Sequence, residues 1–163
     1  KLEQNGVEVS PQRFEIKGFL EKVIMNIDEG FSDQKRIERD FIIDELNVYL
    51  DKEFLRIILT NLLTNALKYS SNESKIKLSL NKNDKKVIIK VKDEGFGIPV
   101  DDQKHMFEKF FRARNVDTIQ GTGLGLNIVK SYVDLMNGEI SFSSQQNKGT
   151  TFNVVLPREY RYE

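Results

Sequence analysis

The spacing of apolar residues predicts three main helices. Residues 18–27 repeat apolar side chains at helical spacing. A stronger pattern over residues 52–69 follows Asp51, which is a favourable residue for the N-terminal cap of a helix. The third helix is predicted over residues 124–136 and is expected to end before Gly138.

Alternation of apolar and polar residues predicts strands in much of the remaining chain. The expected strands cover residues 13–16, 36–43, 46–50, 75–80, 86–92, 139–144 and 150–156. A short helix is expected over residues 101–111, and the polar, aperiodic stretch 112–122 is expected to be a loop. Paired strands among helices indicate an α+β protein, a two-layer α/β sandwich in which helices cover one face of a mixed sheet.

Composition narrows the chemistry that the chain could perform. Its 163 residues fit one domain that can bury its own core. It has no cysteine, which excludes thiol catalysis and disulfides. Lysine plus arginine equal aspartate plus glutamate at 25 each, so the net charge gives no reason to expect nucleic acid or an anionic membrane as a partner. No apolar run reaches the length of about 20 residues that a membrane span needs.

A polar stripe interrupts the otherwise apolar helix predicted over residues 52–69. Asn61, Asn65 and Lys68 lie at i, i+4 and i+7 and therefore share one helix face. Asparagine is a mediocre helix former, so two of them in mid-helix require a reason. One reason is a solvated face. The other is a binding face, where a carboxamide oxygen coordinates a hard cation such as Mg²⁺ and the lysine ammonium contacts a phosphate.

A loop with two glycines follows the predicted strand that ends at Lys92. Asp93 can accept a hydrogen bond from an exocyclic amine such as that of adenine. Gly95 and Gly97 allow the backbone to turn sharply and to lie against a flat ring. The alternative is an ordinary turn between a strand and a helix.

A second glycine cluster, Gly121, Gly123 and Gly125, precedes the third helix. Closely spaced glycines before a helix N-terminus form an anion site, because free N–H groups and the helix dipole face the ligand. The cluster differs from the dinucleotide-binding fingerprint because Leu126 replaces its third glycine, and from a P-loop because no Gly-Lys-Ser/Thr follows. A further glycine, Gly149, is interpreted as part of a hairpin turn.

Five motifs occur in the order and at the spacing found in sensor histidine kinases. The stretch NLLTNALKY from Asn61 resembles the N box of that family, and DEGFG from Asp93 resembles its G1 box. FEKFFR from Phe107 resembles the F box, GTGLGL from Gly121 the G2 box, and GTTF from Gly149 the last glycine box. The resemblance implies a Bergerat ATP-binding fold with a mixed, mostly antiparallel sheet and a flexible lid over the nucleotide.

By this resemblance the chain binds ATP and Mg²⁺. Asn65 is the expected magnesium ligand, and Asp93 is expected to receive the adenine amine. Catalytic roles are expected for Asn61, Lys68, Arg112 and Arg114, with the two arginines reaching the phosphates from the lid. The complete expected ATP site comprises Asn61, Asn65, Lys68, Tyr69, Asp93, Gly95, Gly97, Ile98, Phe107, Gly121, Thr122, Gly123, Leu124, Gly125, Leu126 and Thr150.

The resemblance also implies a place in a longer protein. Residues 1–12 are expected to be the remnant of a preceding dimerisation and phosphoacceptor helix with its linker, residues 13–158 the catalytic domain, and residues 159–163 a tail. The expected activity is transfer of the ATP γ-phosphate to a histidine of that separate domain, with a response regulator receiver domain as the next partner. The fragment is expected to be a monomeric cytoplasmic domain, and its parent a homodimeric sensor kinase of the inner membrane.

Two further residues bear on the activity. His105 is the only histidine, and it lacks the acidic residue and the Arg-Thr-Pro that follow the phosphoacceptor in the family, so we expect it to be a surface residue. Related ATPases carry a glutamate base where this chain has Asn61, and an asparagine there favours transfer to protein over hydrolysis. The alternatives are a superfamily ATPase or conformational clamp, a serine-directed anti-sigma-type kinase, and a non-catalytic binding module.

Overall fold

A five-stranded mixed sheet with helices packed on one face forms the body of the computed structural model, which describes residues 6–30, 35–116 and 125–162. The strands are β1 (Gln12–Glu15), β2 (Ile37–Phe41), β3 (Asn47–Leu50), β4 (Ile76–Lys82), β5 (Lys86–Asp93), β6 (Glu139–Gln145) and β7 (Gly149–Pro157). The helices are α1 (Ile16–Gly30), α2 (Lys52–Lys68), α3 (Val100–Gln103) and α4 (Gly125–Leu135), with a 3₁₀ helix at Arg114–Val116.

The strand order in the main sheet is β2-β4-β5-β7-β6. Strand β2 runs parallel to β4, whereas the β4–β5, β5–β7 and β7–β6 pairs are antiparallel. Strands β1 and β3 form a separate antiparallel pair. The predicted α+β sandwich with a mixed, mostly antiparallel sheet is therefore confirmed.

The core lies between the sheet and its helices, as the alternation in the strands requires. In β4, Ile76, Leu78 and Leu80 are fully buried, while Lys77 between them is exposed. The facing side of α2 is also apolar and buried, because residues three and four apart share a helix face. This packing holds α2 against β4 and β5, and it fixes which side of α2 is left for a binding site.

The cap of α2 is the one that the sequence predicts. Asp51 is buried, and its Oδ1 accepts the backbone N–H of Phe54 at 3.0 Å. Its second carboxylate oxygen accepts the N–H of Ser10 at 2.8 Å, so one side chain ties the N-terminal segment to the start of α2. At the other end, the N–H of Tyr69 bonds to the carbonyl of Asn65.

The predicted helix over residues 101–111 is wrong in extent. Helix α3 ends at Gln103, and turns with i to i−3 hydrogen bonds follow. Phe110 takes a left-handed backbone conformation, with φ of 65°. A helix would place Phe107 and Phe111 on one face, but here Phe107 packs against Phe142 with ring centroids 5.7 Å apart, while Phe111 lines a cavity.

Both predicted end segments pack on the domain where the structure describes them. Val7 and Val9 pack against the core. Glu159 forms a bridge beside Tyr49 of β3, and its carboxylate pairs with Arg13 at 2.8 Å. Among the helices of the described ranges, none combines the length and the apolar content that a bilayer crossing requires.

Arg36 is a buried guanidinium that holds the end of α2 in place. It is 8% exposed, and it donates to the carbonyls of Leu67, Ser71 and Ser74 and to the hydroxyl of Ser70. Its partners are therefore backbone and hydroxyl oxygens rather than a carboxylate. Because Lys68 and Tyr69 lie within this clamp, Arg36 fixes the position of residues predicted to bind a nucleotide.

Replacing Arg36 by methionine is expected to lower the free energy of unfolding by about 2–4 kcal/mol, because buried carbonyl oxygens lose their donors. Urea denaturation measures this difference. Arg39→Met is the matched control, since Arg39 forms an exposed ion pair with Glu21 and such pairs contribute about 0–1 kcal/mol. Equal losses of unfolding free energy in the two variants would contradict this role of Arg36.

Candidate functional site

A cavity of about 520 Å³ opens beside α2, the loop after β5, the residues before the 3₁₀ helix and the start of α4. Its volume falls within the range of about 300–1,000 Å³ that is usual for small-molecule sites. The residues that line it are Asn61, Leu62, Asn65, Ala66, Lys68, Tyr69, Asp93, Phe96, Gly97, Ile98, Met106, Phe111, Arg112, Ala113, Gly125, Leu126, Thr150 and Phe152.

Most of the described residues that the sequence assigns to an ATP site lie on this cavity. They come from α2, the loop after β5, the segment before the 3₁₀ helix, α4 and β7, and the fold brings them together from distant parts of the chain. They are Asn61, Asn65, Lys68, Tyr69, Asp93, Gly97, Ile98, Arg112, Gly125, Leu126 and Thr150.

Three of the predicted site residues that the structure describes are not among the lining residues. Gly95 is buried, and a Cβ added to it would lie 2.3 Å from the carbonyl oxygen of Tyr69, so it serves close packing behind the wall. Phe107 packs against Phe142. Arg114 is directed to carboxylates, with its Nε 3.4 Å from Asp102. The predicted residues Gly121, Thr122, Gly123 and Leu124 lie outside the described residues.

The lining residues that the sequence analysis missed are apolar. They are Leu62, Ala66, Phe96, Met106, Phe111, Ala113 and Phe152. In the sequence, an apolar residue that faces a cavity has the same pattern as one that faces the core. Only their neighbours in the sequence could have indicated two of them as site residues. Ala66 follows Asn65, and Phe96 lies between Gly95 and Gly97.

The amide groups of α2 are oriented by the helix itself. The Nδ2 of Asn61 donates to the carbonyl of Ile57 at 2.8 Å, so the amide hydrogens are directed back to the helix and the oxygen is left for the cavity. Asn65 lies one turn later on the same wall. Gly125 approaches this wall closely, because a Cβ added there would lie 3.1 Å from the Oδ1 of Asn61. The arrangement offers amide oxygen to a hard cation.

Asp93 supplies a carboxylate at the end of β5. Its Oδ1 accepts the backbone N–H of Gly95 at 2.8 Å. Burial raises the pKa of this carboxyl above its ordinary value, and the N–H groups of Gly95 and Thr150 oppose that change. A half-buried acceptor in an apolar cavity suits a neutral donor such as an exocyclic amine.

The loop next to Asp93 is held firmly in place. Gly97 has φ of 65°, and a Cβ added to it would lie 2.1 Å from the carbonyl oxygen of Gln145, so only glycine fits. The N–H of Ile98 donates to the hydroxyl of Ser144 at 2.8 Å. The carbonyl of Phe96 accepts the N–H of Asn147 at 2.7 Å. The β6–β7 hairpin thus supports the backbone that faces the cavity.

The start of α4 supplies the cavity with a helix N-terminus. Gly125 is the first described residue of α4, and both Gly125 and Leu126 line the cavity. Free N–H groups and the helix dipole at such an end favour an anion. Lys68 and Arg112 add two cationic side chains to the same lining. The cavity therefore combines amide oxygens, cations and a carboxylate on an apolar background.

His105 is not among the residues that line the cavity. Its side chain is 38% exposed, and its Nδ1 lies 2.7 Å from a carboxylate oxygen of Glu108. Its ring contacts Phe111, with centroids 5.3 Å apart. This placement agrees with the expectation of a surface residue.

Comparison with known proteins identifies the same part of the chain. The family described as histidine kinase-, DNA gyrase B- and HSP90-like ATPase matches residues 50–160, which include every described residue that lines the cavity. The chain is 30% identical to the sensor histidine kinase WalK of Bacillus subtilis (strain 168) in an alignment of 167 positions, which covers all of this chain and 27% of WalK.

Solved structures show the same fold. The catalytic domain of histidine kinase ThkA superposes with a TM-score of 0.78 at 27% identity, over 92% of this chain and 97% of that domain. Full-length ShkA in complex with AMPPNP gives a TM-score of 0.78 at 25% identity, over 96% of this chain and 33% of ShkA. The chain thus belongs to the family of histidine kinase-, DNA gyrase B- and HSP90-like ATPases, and its ATP-binding sandwich is that of histidine kinase catalytic domains.

Proposed function

We propose that this chain is the catalytic domain of a sensor histidine kinase, which binds Mg–ATP in the cavity and transfers the γ-phosphate to a histidine of a separate domain. The observation that carries the proposal is the composition of the cavity. Amide oxygens and Lys68 on α2 lie on the same cavity as the half-buried carboxylate of Asp93 and the N-terminus of α4. Such a site accepts a purine at one side and a metal-bound polyphosphate at the other.

The base side is proposed to lie against Asp93. The adenine amine would donate to its carboxylate, and the backbone at Gly97 and Ile98 would lie along the ring. Tyr69, Phe96 and Met106 supply apolar surface around it. The phosphates would then lie towards Lys68 and the start of α4, where cationic and N–H groups are available.

The metal side is proposed to be the amide stripe of α2. Mg²⁺ prefers oxygen ligands, and Asn65 with Asn61 offers amide oxygens on one wall. Among the described residues, no group of three or more His, Cys, Asp and Glu side chains could hold a metal ion. The proposed ion would share nucleotide phosphates and water with one or two amides. When bound, it neutralises charge that develops during phosphoryl transfer.

The ionisable groups of the described cavity lining favour phosphate transfer to a protein over hydrolysis of ATP. Asp93 is the one carboxylate among the described lining residues, and its Oδ1 is already engaged by Gly95. Asn61 cannot accept a proton from water usefully. The described lining thus contains the cations Lys68 and Arg112, but its α2 residues include no carboxylate that could act as a general base.

The first experiment supplies the missing acceptor. The chain is mixed with labelled ATP, Mg²⁺ and the helical segment of its parent that carries the acceptor histidine, and acid-labile phosphate on that segment is measured. We expect transfer that depends on Mg²⁺, with little free phosphate when the acceptor is omitted. Steady hydrolysis without acceptor, and no phosphorylated segment with it, would instead support an ATPase clamp.

The parent protein is proposed from the relatives. Because the chain spans 27% of WalK, the acceptor domain, the homodimer and a response regulator partner belong to our proposal for a longer protein. A sensor kinase of the inner membrane whose catalytic domain lies in the cytoplasm would fit that organisation. The domain limits proposed for this chain, residues 13–158 with flanking segments, are tested by limited proteolysis.

A further inference from the structure

Two adjacent residues hold the chain just after Arg112. The backbone N–H of Arg114 donates to the Oδ2 of Asp102 at 3.0 Å, and Asp102 is 6% exposed. The Nδ2 of Asn115 donates to the carbonyl of Gly97 at 2.9 Å. Arg112 is one of the cavity-lining residues, and these two hydrogen bonds, with the buried contact of Ala113 against Ile98, hold the backbone that follows it.

In its contact with the loop, the side-chain amide of Asn115 is the hydrogen-bond donor and backbone carbonyls are the acceptors. Its amide hydrogens face two carbonyl oxygens, those of Gly97 and, at 3.3 Å, of Phe96. The Oδ1 of Asn115 is buried and has no hydrogen-bond partner among the described residues. Only a side chain with an N–H donor at this length satisfies the two carbonyls, and a carboxylate of the same shape would repel them.

The segment that carries Arg112 depends on Asn115, but the loop from Phe96 to Ile98 does not. Four other hydrogen bonds hold the loop. They are Phe96 N–H to the Tyr69 carbonyl at 3.1 Å, Asn147 N–H to the Phe96 carbonyl at 2.7 Å, Ile98 N–H to Ser144 at 2.8 Å, and Gln103 Nε2 to the Ile98 carbonyl at 3.0 Å. The loop therefore keeps its place when Asn115 is removed. The segment that carries Arg112 loses the hydrogen bond to Gly97 and keeps the one to Asp102 and the packing of Ala113 against Ile98.

We propose that Asn115 is a positioning residue that acts through Arg112 on the terminal phosphate of the nucleotide. This inference rests on the proposed function, because it assumes that ATP occupies the cavity. Asn115 binds the loop from Phe96 to Ile98, which lines the proposed base side of the cavity. The position of Arg112 therefore depends on the backbone that would contact the base. Arg114, predicted to reach the phosphates, serves as an attachment through Asp102.

The test compares ligands with and without the terminal phosphate. Binding of ATP, ADP and adenosine to the whole chain is measured by calorimetry for the unchanged protein, Asn115→Ala and Asn115→Asp. We expect Asn115→Ala to weaken ATP about tenfold, the size of one lost charge-assisted contact, while ADP and adenosine change less than about twofold. Asn115→Asp should weaken ATP further, since its carboxylate faces the carbonyls.

Two further variants separate positioning from general damage. In an Arg112→Ala background, Asn115→Ala is expected to have no added effect on ATP, because the group through which it acts is gone. Gln103→Ala is the matched control, since its side chain supports the same loop from the side of Ile98 and Ser144. We expect it to weaken ATP, ADP and adenosine by similar factors, whether or not Arg112 is present.

The outcomes distinguish this inference from the proposed function. If the unchanged chain binds neither ATP nor ADP, the proposed function fails and this inference with it. If the unchanged chain binds both, equal losses of ATP, ADP and adenosine in Asn115→Ala would overturn the inference alone. Additive losses from Asn115→Ala and Arg112→Ala would overturn it as well. Adenosine binding within about twofold of the unchanged chain shows that the Asn115 variants are folded.

Discussion

Replacing Asn65 by alanine is expected to reduce Mg²⁺-dependent phosphate transfer to the acceptor segment by about 10²–10³-fold, the usual loss when one electrostatic stabiliser of a transition state is removed. Asn65 lines the cavity one helical turn after Asn61. It offers the oxygen that we propose as the metal ligand. Single-turnover transfer measured over a range of Mg²⁺ concentrations gives the effect.

The matched control for Asn65→Ala is Thr64→Ala. Thr64 precedes Asn65 on α2 but is not a lining residue, and its hydroxyl bonds to the carbonyl of Thr60 at 2.6 Å. We expect this control to transfer phosphate at the original rate. Transfer by Asn65→Ala at the rate of the unchanged chain, with the same Mg²⁺ dependence, would remove Asn65 from the metal site.

Replacing Asp93 by asparagine is expected to weaken ATP binding by about 10- to 100-fold, because one hydrogen bond to a charged acceptor is lost. The preference for ATP over GTP should fall by at least the same factor. A carboxylate repels the carbonyl oxygen that guanine carries in place of the amine, whereas the asparagine amide can donate to it. Competition binding of ATP and GTP measures the ratio. An ATP/GTP ratio that stays unaltered would contradict the assignment.

The pH dependence of the Asp93 effect has a defined sign. Burial raises the pKa of this carboxyl in the free domain, so folding favours its protonated form. The resulting stability is present below the ordinary pKa of aspartate and is lost as the pH rises through the raised pKa. ATP requires the ionised form, so its affinity should fall as the pH is lowered through the raised pKa. Glu94→Gln, an exposed neighbour, should retain this dependence, and Asp93→Asn should lose it.

The polar wall that α2 contributes to the cavity could be predicted from the sequence because it lies on one strongly periodic helix. In α2, apolar residues define the buried face, so polar residues at Asn61, Asn65 and Lys68 stand out against it. The cap at Asp51 and the carboxylate at Asp93 were predictable for a similar reason. Each ends a regular element, where local chemistry decides the conformation.

The region between α3 and the 3₁₀ helix could not be predicted in the same way. Its path depends on tertiary contacts, such as the bond from Arg114 to Asp102 and that from Asn115 to Gly97. Sequence spacing alone cannot decide whether Arg112 or Arg114 contacts the phosphates. In the structure, the buried carboxylate of Asp102 binds Arg114 and leaves Arg112 on the cavity. Such a choice between two arginines follows from long-range packing, not from local pattern.

The central claim is that Mg–ATP lies between the amide stripe of α2 and the loop after β5. A crystal structure of the chain grown with Mg²⁺ and a non-hydrolysable ATP analogue tests it directly. We expect the adenine amine within hydrogen-bond distance of the Asp93 carboxylate and the metal bound to the amide oxygen of Asn65. An analogue bound elsewhere on the domain, or a cavity that stays empty at saturating concentration, would contradict the claim.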